Sequence, residues 1–256
     1  FLENAGLKSV GTGKAEKNER YTIASAGGLK IGYVAYTNDL NVPLDTEDAY
    51  AVNSLDNYDE TKIQQMCADI QAARQAGAEF VTAMVYAGDV YSTEPDDSQK
   101  ALFDALFEAG ADIVIGTEPY ALQPIEIRDL KDSDGTEKKG IAIYSLGTFL
   151  GSETYGSSGV DNDISAVFDV IIHKEGTKKA RITGFRLTPT CITYTDEDVF
   201  VLPAMEVKEN ASAFSDVADD TVMERIQAAC DEIIPGLIKD TGLTGEYSDG
   251  RYVVNF

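Results

Sequence analysis

Basic and imidazole side chains are scarce in this sequence. Its 256 residues include one histidine and 21 Lys plus Arg against 44 Asp plus Glu, so the formal net charge is −23. Because proteins bind the nucleic-acid backbone by neutralising phosphates with Lys and Arg, this charge excludes a nucleic-acid binder. An anionic membrane surface would repel the chain for the same reason. The single histidine also excludes any metal centre that takes two or more imidazoles from this chain.

Long apolar runs and closely spaced cysteines are also missing. No run approaches the roughly 18 apolar residues of a membrane helix, so no membrane span is predicted within this chain. The three cysteines, Cys67, Cys191 and Cys230, lie far apart and lack metal-ligand spacing. Cys67 and Cys230 fall on apolar faces of predicted helices and are interpreted as core thiols.

The first residues are typical of a helix end. The chain begins with Phe1 rather than Met, and Gly6 follows as a helix-ending glycine would. We therefore expect the chain to start inside a larger protein, with any export signal or anchor upstream of Phe1.

The first half of the chain alternates between helix and strand patterns. Ile63, Met66, Cys67 and Ile70 form the apolar stripe of a helix over residues 60–76, and a second helix runs from Asp96–Asp97 to Gly110. Residues 38–59 are predicted as a long loop with at most one short strand. The predicted strands are Tyr21–Ser25 and Leu29–Thr37, which form a hairpin, then Phe80–Val85, Asp112–Gly116 and Ile141–Leu146. This alternation indicates an α/β fold with parallel strands.

The second half has mostly strand patterns joined by short polar turns. A helix is predicted over residues 220–238, and Pro235 should kink or end it. His173 falls at a predicted strand end, so we expect it to be exposed. The predicted strands are Ile164–His173, Ala180–Pro189, Cys191–Thr195, Val199–Leu202 and a final edge strand, Arg251–Phe256. The fold prediction is one layered α/β sandwich over residues 1–256, with a parallel βαβ core in 1–150. Residues 151–256 add antiparallel strands and a C-terminal helix.

Three segments that follow predicted strands have unusual compositions. They cover residues 85–99, 116–124 and 144–149, and they are rich in Gly, Pro, Tyr and Gln. Because ligands bind outside the carboxyl ends of strands in open α/β sheets, we expect the three segments to converge on one rim. The alternative is that they are ordinary Gly/Pro-rich turns.

The same segments resemble the bacterial capsule-synthesis proteins of the CapA type, a family associated with poly-γ-glutamate capsules. The resemblance covers about residues 1–150 and implies a fold similar to the calcineurin-like metallophosphoesterases. The shared features are Gly11-Thr-Gly13, Leu29–Thr37, Gly88, Tyr91, Pro95, Gln99, Ala109-Gly-Ala-Asp112, Gly116, Pro119, Gln123-Pro124, Tyr144-Ser-Leu-Gly147 and Phe149.

The positions at which the family has its metal-site side chains are changed in this chain. Tyr86 stands at the family's His-Trp-Gly histidine, Val90 at a glutamate, and Thr148 at an asparagine. The three histidine positions of a Gly-His-His-Pro-His segment hold Thr117, Glu118 and Tyr120. A phenol with a pKa near 10 is a poor metal ligand at neutral pH, so Glu118 is the one plausible donor among these positions.

These changes lead to the hypothesis of a catalytically silent protein with a polar cleft. No catalytic residue, metal ligand or cofactor is predicted. The cleft residues are expected to be Tyr86, Asp89, Tyr91, Thr117, Glu118, Tyr120, Gln123, Ser145 and Thr148. Such side chains suit a carbohydrate or peptide-like polymer, so the expected partners are a cell-envelope or capsule polymer, or capsule-assembly proteins. We expect an extracytoplasmic or cell-surface bacterial location.

Two alternatives remain open from the sequence. One is a metal-dependent hydrolase in which residues upstream of Phe1, with Glu118 and Asp89, complete a site for Mg²⁺, Ca²⁺ or Mn²⁺. The other is a structural scaffold in a surface-polymer assembly.

Overall fold

The computed structural model describes residues 2–13, 19–132, 134–151, 159–176, 178–195 and 197–256. The helices are α1 (Glu60–Gln75), α2 (Asp97–Glu108), α3 (Ala204–Glu209), α4 (Asp220–Ala228) and α5 (Ile234–Gly236). The strands are β1 (Tyr21–Ala26), β2 (Leu29–Thr37), β3 (Phe80–Tyr86), β4 (Ile113–Gly116), β5 (Ile125–Lys131), β6 (Glu137–Ile143), β7 (Ile164–His173), β8 (Arg181–Tyr194), β9 (Val199–Pro203), β10 (Gly245–Ser248) and β11 (Arg251–Asn255).

The chain forms two compact units. The first unit comprises residues 1–88, 96–118 and 140–142, and the second comprises 89–95, 119–139 and 143–256. The α/β fold class predicted from the sequence is confirmed, with a parallel core, antiparallel C-terminal strands and a C-terminal helix. The single-domain boundary over residues 1–256 stays a prediction.

A mainly parallel sheet forms the core of the first unit. Its strand order is β1-β2-β3-β4, followed by residues 140–142 of β6. Strands β1 and β2 form the predicted hairpin, with Gly27 and Gly28 at φ of 57° and 81° in its turn. Strand β3 then pairs in parallel with both β2 and β4. Parallel pairing aligns the carboxyl ends of β2, β3 and β4 at one edge of this sheet.

Capping residues mark both ends of helices α1 and α2. The side chains of Asp59 and Asp96 accept hydrogen bonds from the third backbone N–H of their helices. Gly77 and Gly110 follow the helix ends at φ of 96° and 110°, a conformation that favours glycine. Both helices were predicted, and their apolar faces bury Met66, Ile70, Leu102, Phe103 and Leu106.

Residues 38–59 contain no regular strand, although one was allowed in the prediction. A short 3₁₀ turn covers Thr46–Asp48, and isolated β-bridges tie Val52 to Thr12 and Ser54 to Thr37. The N-terminal helix end is reduced to a 3₁₀ turn over Glu3–Ala5, followed by Gly6 at φ of 74°. Phe1, which also belonged to that prediction, lies outside the described residues.

The second unit contains β5, residues 137–139 and 143 of β6, and an antiparallel sheet. That sheet has the order β10-β11-β8-β7, and β9 also pairs with β8. The prediction of Arg251–Phe256 as an edge strand is wrong, because β11 lies between β10 and β8. Neither β5 nor β10 was predicted. His173, the last residue of β7, is exposed as expected.

Strand β8 runs without interruption through Pro189, so the two strands predicted there are one. In the register of β7, Pro189 lies opposite Ala166, whose own N–H donates to Leu146 O at 3.2 Å. On its other side, β8 pairs with β11 up to Leu187 and with β9 from Thr190 onward. Pro189 therefore occupies a gap between two partner strands, where a missing N–H removes no ladder bond.

The predicted C-terminal helix is divided into three parts. Helix α4 passes into a wider π-helical turn over Ala229–Ile233, and α5 ends at Gly236, directly after Pro235. Arg225 of α4 holds Asp163 with two nitrogens, at 3.0 and 2.9 Å, and Asp161 at 2.5 Å. Among the described residues, no helix has the length and apolar character needed to cross a membrane.

The cysteines are free thiols, and Cys191 and Cys230 are buried. Burial raises the pKa of Cys191 to about 12 and that of Cys230 to about 11. Both thiols are therefore protonated at neutral pH, as core residues would be.

Candidate functional site

In the first unit, the carboxyl edge of the parallel sheet carries three of the nine predicted cleft residues. Tyr86 ends β3, and Thr117 follows β4 with its N–H donating to Val85 O at 3.1 Å. Thr117 is exposed, whereas Tyr86 and the adjacent Glu118 are half-buried. These three residues belong to one sheet edge, as parallel pairing of β3 and β4 requires.

In the second unit, two tyrosines form a strained aromatic pair. The rings of Tyr91 and Tyr120 have centroids 6.0 Å apart and planes tilted by 40°. Both residues adopt left-handed backbone conformations, with φ of 62° and 59°. The Tyr91 N–H donates to Pro119 O at 2.9 Å and so joins the two loops directly. Left-handed conformations of bulky residues cost roughly 1–3 kcal/mol each, and they concentrate at functional sites.

Gln123 locks the loop that carries Tyr91. Its side chain is fully buried, and its Nε2 donates to the carbonyl oxygens of Ser92 at 3.1 Å and Glu94 at 3.0 Å. Its backbone N–H donates to Ser145 O at 3.2 Å. A buried amide with these partners positions the loop and does not face a ligand. Gln123 therefore positions this loop, and its place in the predicted cleft stays a prediction.

Ser145 and Thr148 belong to the third predicted segment, which is bonded to the loop that carries Tyr120. The Thr148 hydroxyl donates to Tyr120 O at 3.0 Å, and the buried Ser145 hydroxyl accepts from the Gly147 N–H at 3.2 Å. Gly147 has a φ of 74°, and a Cβ there would lie 2.7 Å from Ile164 O, so only glycine fits. Parts of all three predicted segments, residues 89–95, 119–123 and 145–148, thus meet within the second unit.

The surface around the tyrosine pair is mixed in character. Asp89 is exposed, and Tyr91, Tyr120 and Thr148 are half-buried. Val90 and Phe149, which neighbour these residues in sequence, are 46% and 55% exposed. Aromatic rings with hydroxyl groups at their rims can stack on sugar rings and also form hydrogen bonds.

The residues present do not fit a di-metal centre. A pair of cations about 3.5–4 Å apart needs several His, Asp or Asn ligands. The positions at which the resemblance implies metal-site side chains supply two phenols, two threonine hydroxyls, one carboxylate and one valine without a donor, from Tyr86, Tyr120, Thr117, Thr148, Glu118 and Val90. Within the described part of the chain, no three His, Cys, Asp or Glu side chains are grouped to hold a metal.

A cavity that was not predicted lies at the carboxyl end of β2, wholly within the first unit. Its volume is about 310 Å³. We call it the β2 cavity, and it is lined by Asn38, Asp39, Leu40, Pro43, Leu44, Ala49, Val52, Ser54, Asp56, Asn57 and Lys62. The Asn-Asp pair after β2 and the Ser-x-Asp-Asn segment were available signals, because Asn and Asp tolerate left-handed turns.

Comparison with known proteins gives a family match and two relatives with a related description. The family described as "Bacterial capsule synthesis protein PGA_cap" matches residues 1–153, which include all nine predicted cleft residues. The capsule biosynthesis protein CapA of Bacillus anthracis is 24% identical over 158 residues, covering 58% of this chain and 34% of that protein. The PGA biosynthesis protein CapA of Bacillus subtilis (strain 168) is 31% identical over 106 residues, covering 41% of this chain and 24% of that protein.

The matches therefore span about a third or less of these two relatives. Among solved structures, a hypothetical protein from Thermus thermophilus aligns with 14% identity and a TM-score of 0.30, over 72% of this chain and 62% of that one. This likeness is too weak to support a comparison of folds.

Proposed function

Because the chain belongs to the family of bacterial capsule synthesis proteins, matched over residues 1–153, we propose that it acts in capsule biosynthesis by binding a surface polymer without hydrolysing it. Its place of action is then the bacterial cell envelope. Both relatives described above are named as capsule or PGA biosynthesis proteins, which supports this assignment.

The observation that carries the proposal is the chemistry of the substituted positions. Tyr86, Thr117 and Tyr120 replace imidazoles with hydroxyl groups, which form hydrogen bonds but bind divalent metals poorly at neutral pH. Zinc-type centres that activate water for hydrolysis use several imidazole ligands, which these positions do not supply. The substituted residues favour recognition over metal-assisted hydrolysis.

The binding surface in the second unit is centred on Tyr91 and Tyr120. The hydrogen bond to Pro119 and the buried Gln123 hold the backbones of the two loops together before a ligand arrives. Such preorganisation reduces the entropy that binding must offset. The rings and the Thr148 hydroxyl suit a carbohydrate or a peptide-like chain.

Charge limits which polymers this surface can accept. The formal net charge of the chain is −23, and the exposed Asp89 precedes Tyr91 by two residues. A polyanion such as poly-γ-glutamate would be repelled unless cations mediate the contact. We therefore expect neutral polymers to bind at low salt, and poly-γ-glutamate to need divalent cations.

The proposed polymer binding is tested by affinity electrophoresis of the purified chain. Gels contain capsule polysaccharide, peptidoglycan fragments or poly-γ-glutamate, the last with and without Mg²⁺. The Tyr120→Asn variant removes one ring, yet Asn still adopts the left-handed backbone. We expect it to weaken binding by about tenfold, the upper range for an aromatic contact. Tyr50→Asn, a half-buried tyrosine of the first unit, is the control.

Retardation by no polymer, or equal retardation of the Tyr120→Asn variant and the wild type, would refute polymer binding by this surface and favour the scaffold alternative. The absence of hydrolysis is tested separately. We expect inductively coupled plasma mass spectrometry of the purified protein to find no stoichiometric divalent metal, and we expect bis-p-nitrophenyl phosphate to remain intact. A stoichiometric metal with phosphodiesterase turnover would establish the hydrolase alternative.

A further inference from the structure

The β2 cavity has the size and position of a small-molecule site. Ligand pockets in proteins begin at about 300 Å³, and this cavity reaches about 310 Å³. It lies where β2 ends, at the carboxyl edge of the parallel strands, which is where open α/β sheets bind ligands. It is independent of the tyrosine surface on which the proposed function rests.

The lining of the cavity has an apolar part and a polar part. Leu40, Pro43, Leu44, Ala49 and Val52 supply the apolar part. The polar part holds two carboxylates, two amides, one hydroxyl and one ammonium group, from Asp39, Asp56, Asn38, Asn57, Ser54 and Lys62. An occupant that fits both parts must itself have a polar end and an apolar body.

Asn38, which is 7% exposed, is bonded to the loop on the polar side of the cavity. Its backbone oxygen accepts from the Asn57 N–H at 2.9 Å, and its Oδ1 accepts from the Tyr58 N–H at 2.8 Å. These bonds fix three consecutive left-handed residues, Asp56, Asn57 and Tyr58, with φ of 48°, 61° and 60°. The backbone on this side of the cavity is therefore fixed before a ligand arrives.

The charges in the cavity favour a cation. Asp56 is engaged locally, since its Oδ2 lies 3.5 Å from the Lys62 Nζ and its Oδ1 accepts from the Ser54 hydroxyl at 2.6 Å. Asp39 is exposed, and its Oδ1 accepts from the Leu40 N–H at 2.7 Å. With two carboxylates and one ammonium, the lining has a net charge of 1 − 2 = −1. The overall charge of −23 adds a potential that attracts cations.

We propose that the β2 cavity binds a small organic cation, with a primary ammonium group near Asp39 and an apolar body against Leu44 and Val52. The probe is n-hexylammonium, compared with its neutral and anionic counterparts, n-hexanol and hexanoate. Titration of the ¹⁵N-labelled full chain at low salt, followed by ¹H–¹⁵N correlation spectra, measures both affinity and location. We expect hexylammonium to bind most tightly and to shift amides between residues 38 and 62.

Two variants separate the ionic and apolar contributions. Asp39→Asn keeps an acceptor for the Leu40 N–H but removes the charge, and we expect about fivefold weaker binding of hexylammonium, the upper range for an exposed ion pair. Leu44→Ala should weaken the binding of hexylammonium by about threefold, because less apolar surface is covered, and should leave the binding of methylammonium unchanged. The control is Asp45→Asn, which removes a charge from the same loop outside the lining.

Three results would overturn the proposal. The first is hexanoate binding as tightly as hexylammonium, which would make Lys62 the recognition group. The second is shifts confined to amides outside residues 38–62, the segment that holds the lining. The third is an equal effect of Asp39→Asn and Asp45→Asn on affinity. The amide spectra of each variant also report directly whether it is folded.

Discussion

Asp112 should be among the residues most sensitive to substitution, because it joins two strands and a helix of the first unit. Its side chain is 2% exposed, and one oxygen, Oδ2, accepts from both the Val81 N–H, at 2.8 Å, and Arg74 Nη2. Arg74 in turn donates to Gly110 O, at 3.1 and 2.9 Å, and to Glu79 O, at 2.7 Å. The end of α1, the end of α2 and the start of β3 and β4 therefore share one polar network.

The expected loss of stability depends on which polar groups each substitution leaves without a hydrogen-bond partner. Asp112→Ala deprives the Val81 N–H and the Arg74 guanidinium of their acceptor. Removing one partner of a buried ion pair costs about 3–5 kcal/mol. Arg74 is 25% exposed and keeps its bonds to two carbonyl oxygens, so we expect the lower end, about 3 kcal/mol. Asp112→Asn keeps an acceptor for the Val81 N–H and should cost about 1–2 kcal/mol.

Urea unfolding followed by far-UV circular dichroism measures these differences. Glu108→Ala, an exposed carboxylate at the end of α2, is the matched control and should stay within about 0.5 kcal/mol of the wild type. A double-mutant cycle with Arg74→Met isolates the coupling between the two side chains. If Asp112→Ala and Glu108→Ala unfold at the same urea concentration with unchanged slopes, the network does not stabilise the fold and this reasoning fails.

Three further changes test other parts of the structure. Gly147→Ala should lower the free energy of unfolding in urea by about 2 kcal/mol or more, because its Cβ would lie 2.7 Å from a backbone carbonyl oxygen. Gly159→Ala is the control: a Cβ there has nothing within 4 Å, so the loss should be about 1 kcal/mol or less. Gln123→Leu removes two buried hydrogen bonds at similar volume and should raise amide exchange of the neighbouring loop about tenfold; unchanged exchange would contradict its positioning role. Burial raises the pKa of Cys191 to about 12 and of Cys230 to about 11, so both thiols should react with Ellman's reagent at pH 8 only on unfolding. The stability tied to these raised pKa values is complete below the unfolded pKa, near 9, and is lost as the pH rises toward 11–12, so the urea midpoint should fall over that range.

The elements with strong local signals were predictable. Helix α1 has an apolar stripe, an Asp cap and a terminal glycine, and β7 is rich in β-branched residues. Strand β5 was missed because Glu126, Arg128 and Asp129 make it appear polar, although Ile125 and Ile127 alternate as a strand requires. The break placed at Pro189 failed for a different reason. Whether a proline interrupts a strand depends on which neighbours lie beside it, and that is a tertiary property.

The candidate site was predictable in outline only. Chain order and strand direction were enough to predict that residues around 89–95, 119–123 and 145–148 would meet. The left-handed backbones of Tyr91 and Tyr120 could not be predicted, since bulky residues rarely adopt that conformation and local sequence does not favour it. The buried position of Gln123 was also unpredictable, because a polar residue in a Gly/Pro-rich segment is ordinarily expected to be exposed. Tertiary contacts decide both features.

The motifs that this chain shares with its family have structural roles wherever the contacts define a role. Asp112 of the Ala-Gly-Ala-Asp segment anchors Arg74, Gln123 fixes a loop, and Gly147 allows a close approach of two backbones. At the positions where the resemblance implies metal-site imidazoles, by contrast, this chain has hydroxyl side chains such as those of Tyr86 and Tyr120. The left-handed backbones of Tyr91 and Tyr120 carry a conformational cost of roughly 1–3 kcal/mol per residue. The hydrogen bonds from Tyr91 to Pro119 and from Thr148 to Tyr120 help to offset that cost within the fold. The polymer binding proposed above would give this costly arrangement a use.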